Sequence, residues 1–186
     1  MPVWVWVLVA VVAIAGVAAI VVLSGSSKRK TERVKERFGP EYERAVSRTG
    51  DEKAATKELA ERERQRAKLD IRPLSPQSLD GFVTRWRAVQ TAFVDHPASA
   101  VGEADVLVTE VMRERGYPVD DFERQSADIS VDHPTVVENY RAAHDIHLAQ
   151  QRDDVGTERQ RQAFVHYRAL FEKLLEAETD QQEASA

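Results

Sequence analysis

Beyond residue 72 the apolar residues of this chain recur every three or four positions, and no segment sustains alternation at every second position. A repeat near 3.6 paints one face of a helix, whereas a half-buried strand needs period two. "LSPQSLDGFVTRWRAVQTAFVDHP" carries Leu79, Phe82, Val83, Trp86, Val89 and Phe93 on one face, with Ser75 as N-cap and Pro76 as first helical residue. A second helix is predicted from Pro97 to Arg115, with Val101, Ala104, Leu107, Val108, Val111 and Met112 inward and Gly116-Tyr117-Pro118 as its stop. "VDDFERQSADI" reads as a short helix, and from Pro134 a further one carries Val137, Tyr140, His144 and Leu148. Thr157 and Gln160 have capping-box spacing for a last helix, where Phe164, Tyr167, Leu170, Phe171, Leu174 and Leu175 form a wide stripe. The expected fold is all-α, with a compact bundle of about four to five helices.

Ahead of the bundle lies a different kind of sequence. Val3 to Leu23 is 21 residues without a charge, and a helix of that length spans roughly 30 Å, the thickness of a bilayer's hydrocarbon. Trp4 and Trp6 sit at one end, where indoles favour the headgroup level. A cleaved signal peptide is the alternative, with Ser24-Gly25-Ser26 as its small-residue site, but nothing basic precedes the apolar run. A transmembrane anchor over 1–27 is the expectation. No Lys or Arg lies before the span, while Lys28, Arg29, Lys30, Arg33, Lys35 and Arg37 follow it. The positive-inside rule then puts the N-terminus outside and the soluble domain in the cytoplasm, with Lys28, Arg29, Lys30 and Arg33 facing an anionic lipid surface.

Residues 28–71 are expected to form this basic juxtamembrane segment and a helical stalk, interrupted at Gly39-Pro40. The stripe over Ala55 and Leu59 is thin, so the stalk is read as solvated, with self-association as the sharper option. The bundle is placed at 72–177 and a disordered acidic tail at 178–186. Residues 1–37 sum to +4 of a total of −5, leaving −9 for the remainder. An acidic body is a poor partner for nucleic acid. The chain has no cysteine, which excludes disulfides, thiolate catalysis and Cys-ligated zinc.

No Gly-rich phosphate loop, nucleophile elbow or His-Glu-x-x-His helix occurs. His144 and His147 are three apart, but a stable metal site needs further ligands, so neither a metal nor a cofactor is expected. A softer constellation is Trp86, Gln90, Tyr140, His144 and Tyr167, all on or beside apolar faces and all with a polar handle. It reads as a small-molecule or pH-sensitive pocket, or as an internal network that sets helix register. Val-Asp-His-Pro occurs twice, at 94–97 and 131–134. It is read as one helix-start device, with Pro97 and Pro134 in the first turn and the carboxylates of Asp95 and Asp132 beside free N–H groups.

"SLDGFVTRWRAVQTAFVDHPASAVGEADVLVTEVMRERGYPVDDFE" and "DISVDHPTVVENYRAAH" resemble a group of actinobacterial single-pass membrane-anchored helical proteins of unknown function. The resemblance covers roughly Phe38 to Leu175 and supports the anchored helical architecture. It brings no catalytic residues to carry over. The expected role is a membrane-anchored cytoplasmic protein-interaction or scaffolding module without catalysis of its own. The alternative is a ligand- or pH-sensing domain built on the Trp/Tyr/His cluster.

Overall fold

The computed structural model describes residues 29–184, with side-chain surroundings given through Glu176. All regular structure among them is helical. The expected anchor, Val3 to Leu23, and Lys28 lie outside the described residues. Within the described residues no helix is long and apolar enough to cross a membrane.

The chain divides into two compact units, at Ala60 and Glu61. In the first, α1 covers residues 29–38, α2 runs Pro40–Thr49, and α3 begins at Glu52 and ends at Arg66 in the second unit. Gly39 takes a positive φ of 47° and lets Pro40 open α2. Val34, Phe38, Tyr42, Ala45, Ala55, Leu59 and Ala60 are buried, which a solvated stalk would not show. α3 alone does carry a thin stripe. The larger apolar residues of this small core are Phe38 and Tyr42, supplied by the segment before it.

In the second unit α4 (Pro76–Ala92), α5 (Pro97–Arg115), α6 (Phe122–Asp132), α7 (Val137–Gln150) and α8 (Thr157–Ala184) form the bundle. α8 packs along both α7 and α5, α4 lies on α5, and α6 on α7. The unit begins at Glu61 rather than Arg72, because Leu69, Ile71 and Leu74 pack on the bundle's core. α8 continues to Ala184, through most of the stretch expected as a tail; its Glu, Ala and Gln residues are good helix formers.

The helix starts and stops have identifiable causes. Ser75 Oγ accepts from Ser78 N at 3.0 Å, capping α4 as expected. Asp121 Oδ1 does the same for α6 from Arg124 N at 2.8 Å. α5 ends in a Schellman motif, with Tyr117 N on Met112 O and Gly116 N on Arg113 O. Gly116 has φ 99°, and a Cβ there would stand 2.4 Å from Asp70 O, so only glycine fits. The Thr157–Gln160 capping box does not form. α8 starts one residue earlier in hydrogen-bond terms, with Gly156 O accepting from Gln160 N, and Asp154 Oδ1 takes Gly156 N. In α7 Leu148 is exposed and Ile146 is buried instead, so that stripe is rotated from the expected face.

The aromatic residues of α8 fix α4. Trp86 stacks on Phe164 and Phe171 at centroid distances of 5.2 and 4.5 Å, and Phe93 tilts onto Phe164 at 4.8 Å. Such pairs add about 0.5–1.5 kcal/mol each beyond area burial. Trp86→Ala should therefore cost about 3–5 kcal/mol in urea denaturation of the purified protein. A loss under 1 kcal/mol would show that Trp86 does not hold the bundle.

Candidate functional site

The five residues of the Trp/Tyr/His constellation do not meet at one place. Tyr140 and His144 on α7 and Tyr167 on α8 converge on a residue the sequence did not single out, Asp105 of α5. Tyr167 Oη donates to Asp105 Oδ1 at 2.7 Å. His144 Nδ1 lies 3.6 Å from the same oxygen, in ion-pair range and beyond a hydrogen bond. The His144 ring lies flat on Phe122, with centroids 3.7 Å apart and planes at 11°. Tyr140 meets Tyr167 edge-on at 6.4 Å and takes Thr109 as its hydrogen-bond partner.

Burial acts to raise the Asp105 carboxyl, but the His144 imidazole and Tyr167 hydroxyl outweigh it, with a further contribution from His147. The carboxyl therefore sits below its usual range. Burial, reinforced by the Asp105 charge, pushes the Tyr167 phenol up, and burial does the same to Tyr140. The node is a neutral hydroxyl clamped on an ionised carboxylate, with an imidazole at its edge. It contains no activated nucleophile. His147 turns its Nε2 to Gln151 at 3.0 Å, and its ring centroid is 6.4 Å from that of His144. Among the described residues no group of three or more His, Cys, Asp or Glu is placed to hold a metal.

Trp86 and Gln90 belong instead to a groove of about 550 Å³ between α4 and α8. Leu79, Val83 and Trp86 from α4 meet Phe171 and Leu175 from α8 to form its apolar lining. Arg87 and Gln90 stand on one rim, and Arg168, Glu172 and Glu176 on the other. The acidic rim residues are already paired: Arg168 with Glu172 at 2.8 Å, and Lys173 with Glu176 at 3.0 Å. Arg87 has no ion-pair partner among the described residues; its carbonyl accepts from Thr91 Oγ1.

The repeated Val-Asp-His-Pro builds one backbone corner twice. His96 has φ −134° and ψ 64°, and His133 has φ −133° and ψ 59°. Each His N–H closes the preceding helical turn, on Ala92 O and Ile129 O. Each His C=O then accepts from the amide four residues on, Ala100 N or Val137 N. Pro97 is the first residue of α5 as expected, but Pro134 lies in a turn, and α7 begins at Val137.

The two aspartates do not cap. Asp95 is exposed and α5 has no side-chain cap hydrogen bond. Asp132 is the last residue of α6, and its carboxylate takes Arg66 Nε at 2.7 and 2.8 Å and Tyr117 Oη at 2.5 Å. A second partner set, unreadable from local sequence, captured that side chain. Of the basic residues expected at the lipid surface, Arg29, Lys30 and Arg33 are exposed on α1. No protein-family model, curated protein or solved structure matches the chain.

Asp132→Ala should cost about 2–3 kcal/mol, because it strips Arg66 and Tyr117 of a charged acceptor. Asp95→Ala should stay within about 0.5 kcal/mol. Equal losses in denaturant titrations would refute this division of the two sites. His133 adds a pH test. Burial foremost, helped by Arg115, Lys173 and Arg66 and opposed by Asp132, brings its pKa down to about 4. The unfolded chain binds that proton near pH 6.5, so this contribution is complete above 6.5 and is lost as the pH falls from there to about 4. Stability should drop by about 2 kcal/mol between pH 7 and pH 5. His133→Leu should flatten that slope, and an unchanged slope would show that His133 is not its source.

Proposed function

We propose that the chain is a single-pass membrane-tethered interaction module, without catalysis of its own. In this reading the N-terminus lies outside, the helical domain is cytoplasmic, and the Lys28–Arg33 cluster rests on anionic lipid. The docking surface is the α4–α8 groove, and its occupant is an amphipathic helix of a partner protein.

The observation that carries the reading is the groove's chemistry. Its lining is apolar along Leu79, Val83 and Trp86, positions spaced four and three apart on α4. A partner helix presenting residues at i, i+3 and i+7 fits such a trough. Charge complementarity narrows the partner further. The acidic side chains of the α8 rim are paired within this chain, so the unmatched charge is the Arg87 guanidinium. The incoming helix then carries an acidic residue beside its apolar stripe.

A photocrosslinking residue at Val83 should capture one protein in cells, while the same residue at Val165, exposed elsewhere on α8, should not. Arg87→Glu should weaken binding of the identified partner at least tenfold, and reversing the partner's acidic residue should restore it. Equal capture at both positions, or no rescue, would sink the docking reading, and capture of a second copy would replace the partner with self-association. Protease added to intact spheroplasts tests the topology: the helical domain should survive until lysis, and digestion without lysis would reverse the orientation.

One observation favours the sensing alternative. The Nδ1 atoms of His144 and His147 are buried without a hydrogen-bond partner, beside a carboxylate that joins two helices.

A further inference from the structure

A second groove, of about 430 Å³, runs between α4 and α5. Ala88 and Val89 from α4 meet Gly102, Val106 and Leu107 from α5 along it. α4 turns Val83 and Trp86 to the α8 side and Arg85 and Ala88 to this one. At 100° per residue the two pairs point to opposite sides of the helix, so the two grooves are separate surfaces.

What marks this place is not the lone Val106 but the charge on its two edges. Arg85 stands on the α4 edge and Glu103 on the α5 edge. Glu110 follows Glu103 by seven residues, two turns along the same face of α5, and accepts from Arg85 Nη1 at 2.5 Å. Those two side chains nevertheless stay 52% and 33% exposed. Glu103 accepts from the Ser99 hydroxyl at 3.1 Å. A guanidinium has five N–H donors and a carboxylate about four acceptor sites, so one bond saturates neither.

The floor permits close approach. Gly102 lies inside α5, where glycine is the least favourable residue after proline. A Cβ there would meet His147 Cε1 at 3.5 Å, an ordinary contact, so the chain's own packing does not call for glycine. With Ala88 also lining the groove, another helix can settle at the near end of the usual interaxial range.

The edges select the occupant. A partner must offer anions to the α4 edge and a cation to the α5 edge, and a copy of this same surface offers both. A twofold axis running along the groove exchanges its edges, which sets Arg85 of each copy against Glu110 of the other.

We propose that the α4–α5 groove joins two copies of the chain, with α4 of each lying over α5 of the other. Arg85 and Glu110 from the two copies then alternate in a ring of four charges that fixes the register. The α4–α8 groove stays uncovered in this pairing, and the proposal stands or falls without the docking reading.

The chain has no cysteine, so one introduced thiol is its only thiol target. Purified full-length protein carrying Val106→Cys, treated with a short bismaleimide, should double in mass on a denaturing gel. Val165→Cys, exposed on α8, should not. In the Val106→Cys background, R85E makes both edges acidic and E110R gives Glu110 the charge of Arg85. Each change alone should cut crosslinking at least tenfold, and mixing the two differently tagged variants should restore it, in the mixed pair only. Circular dichroism checks folding, and should E110R fail to fold, R85E and the comparison of Val106 with Val165 carry the test. No crosslink at Val106, equal crosslinking at Val165, or full crosslinking in folded R85E overturns the proposal. So does a mixture of folded variants that fails to crosslink.

Discussion

The bundle is keyed by one partly buried polar contact, the Tyr167 hydroxyl on the Asp105 carboxylate. Neither group is tolerated in an apolar interior alone, and each supplies what the other lacks. Turning α8 by one residue, about 100°, would carry Tyr167 off Asp105 and strand both. With Tyr167 held, Phe164 three residues before it and Phe171 four after it are placed along the adjoining strip of the same helix. Those two rings are the ones on which Trp86 stacks, so the seat of α4 follows from the register of α8. His144 brings α7 to the same carboxylate. Apolar packing alone would accept several rotations of these helices, and the hydroxyl–carboxylate pair accepts one.

Asp132 plays the corresponding part at the other polar junction. It fastens the end of α3 and the loop after α5 to the last turn of α6, through Arg66 and Tyr117. A carboxylate at a helix C-terminus meets the negative end of the dipole, which is unfavourable by itself. Here a guanidinium and a phenol offset that. Burial foremost, with Arg115, Lys173 and Arg66 nearby, keeps the neighbouring His133 imidazole neutral. The carboxylate thereby stabilises one junction while its surroundings make the same corner acid-sensitive.

Local signals were read well where the physics is local. Ser75-Pro76 and the α5 limits at Pro97 and Arg115 were all legible, because caps, prolines and αL glycines act within a turn. The inward faces of α5 and α8 were legible too, from periodicity alone. Asp105 was not. It sits between Ala104 and Val106 with the look of a solvated face residue, and only a tyrosine 62 positions away gives it a reason to be covered. The constellation divides for the same reason: three of its members converge, but Trp86 and Gln90 lie on a face of α4 directed at another strip of α8. The helical segment before the bundle misled because α3 was judged by its own thin stripe, while Phe38 and Tyr42 came from the segment before it. For the corner motif, the His-Pro backbone repeated faithfully, and the carboxylates followed whichever donors the tertiary fold put nearest.

The division of α8 into strips also explains why the α4–α8 groove is quiet when empty. Among the described residues, the large apolar side chains most open to solvent are Val94, Val106, Leu148 and Val165, on separate elements. Single apolar residues of that kind are normal on any surface and mark nothing. The groove is different in kind, because Trp86 and Phe171 at its base are already buried by stacking on each other. In the proposed docking, an occupant therefore gains little from covering the rings themselves. It gains from covering the half-exposed Leu79, Val83 and Leu175 around them, and from the rigidity the stacked rings confer on the base. A pre-formed apolar base lowers the ordering cost of association, which is what separates a docking groove from a sticky patch.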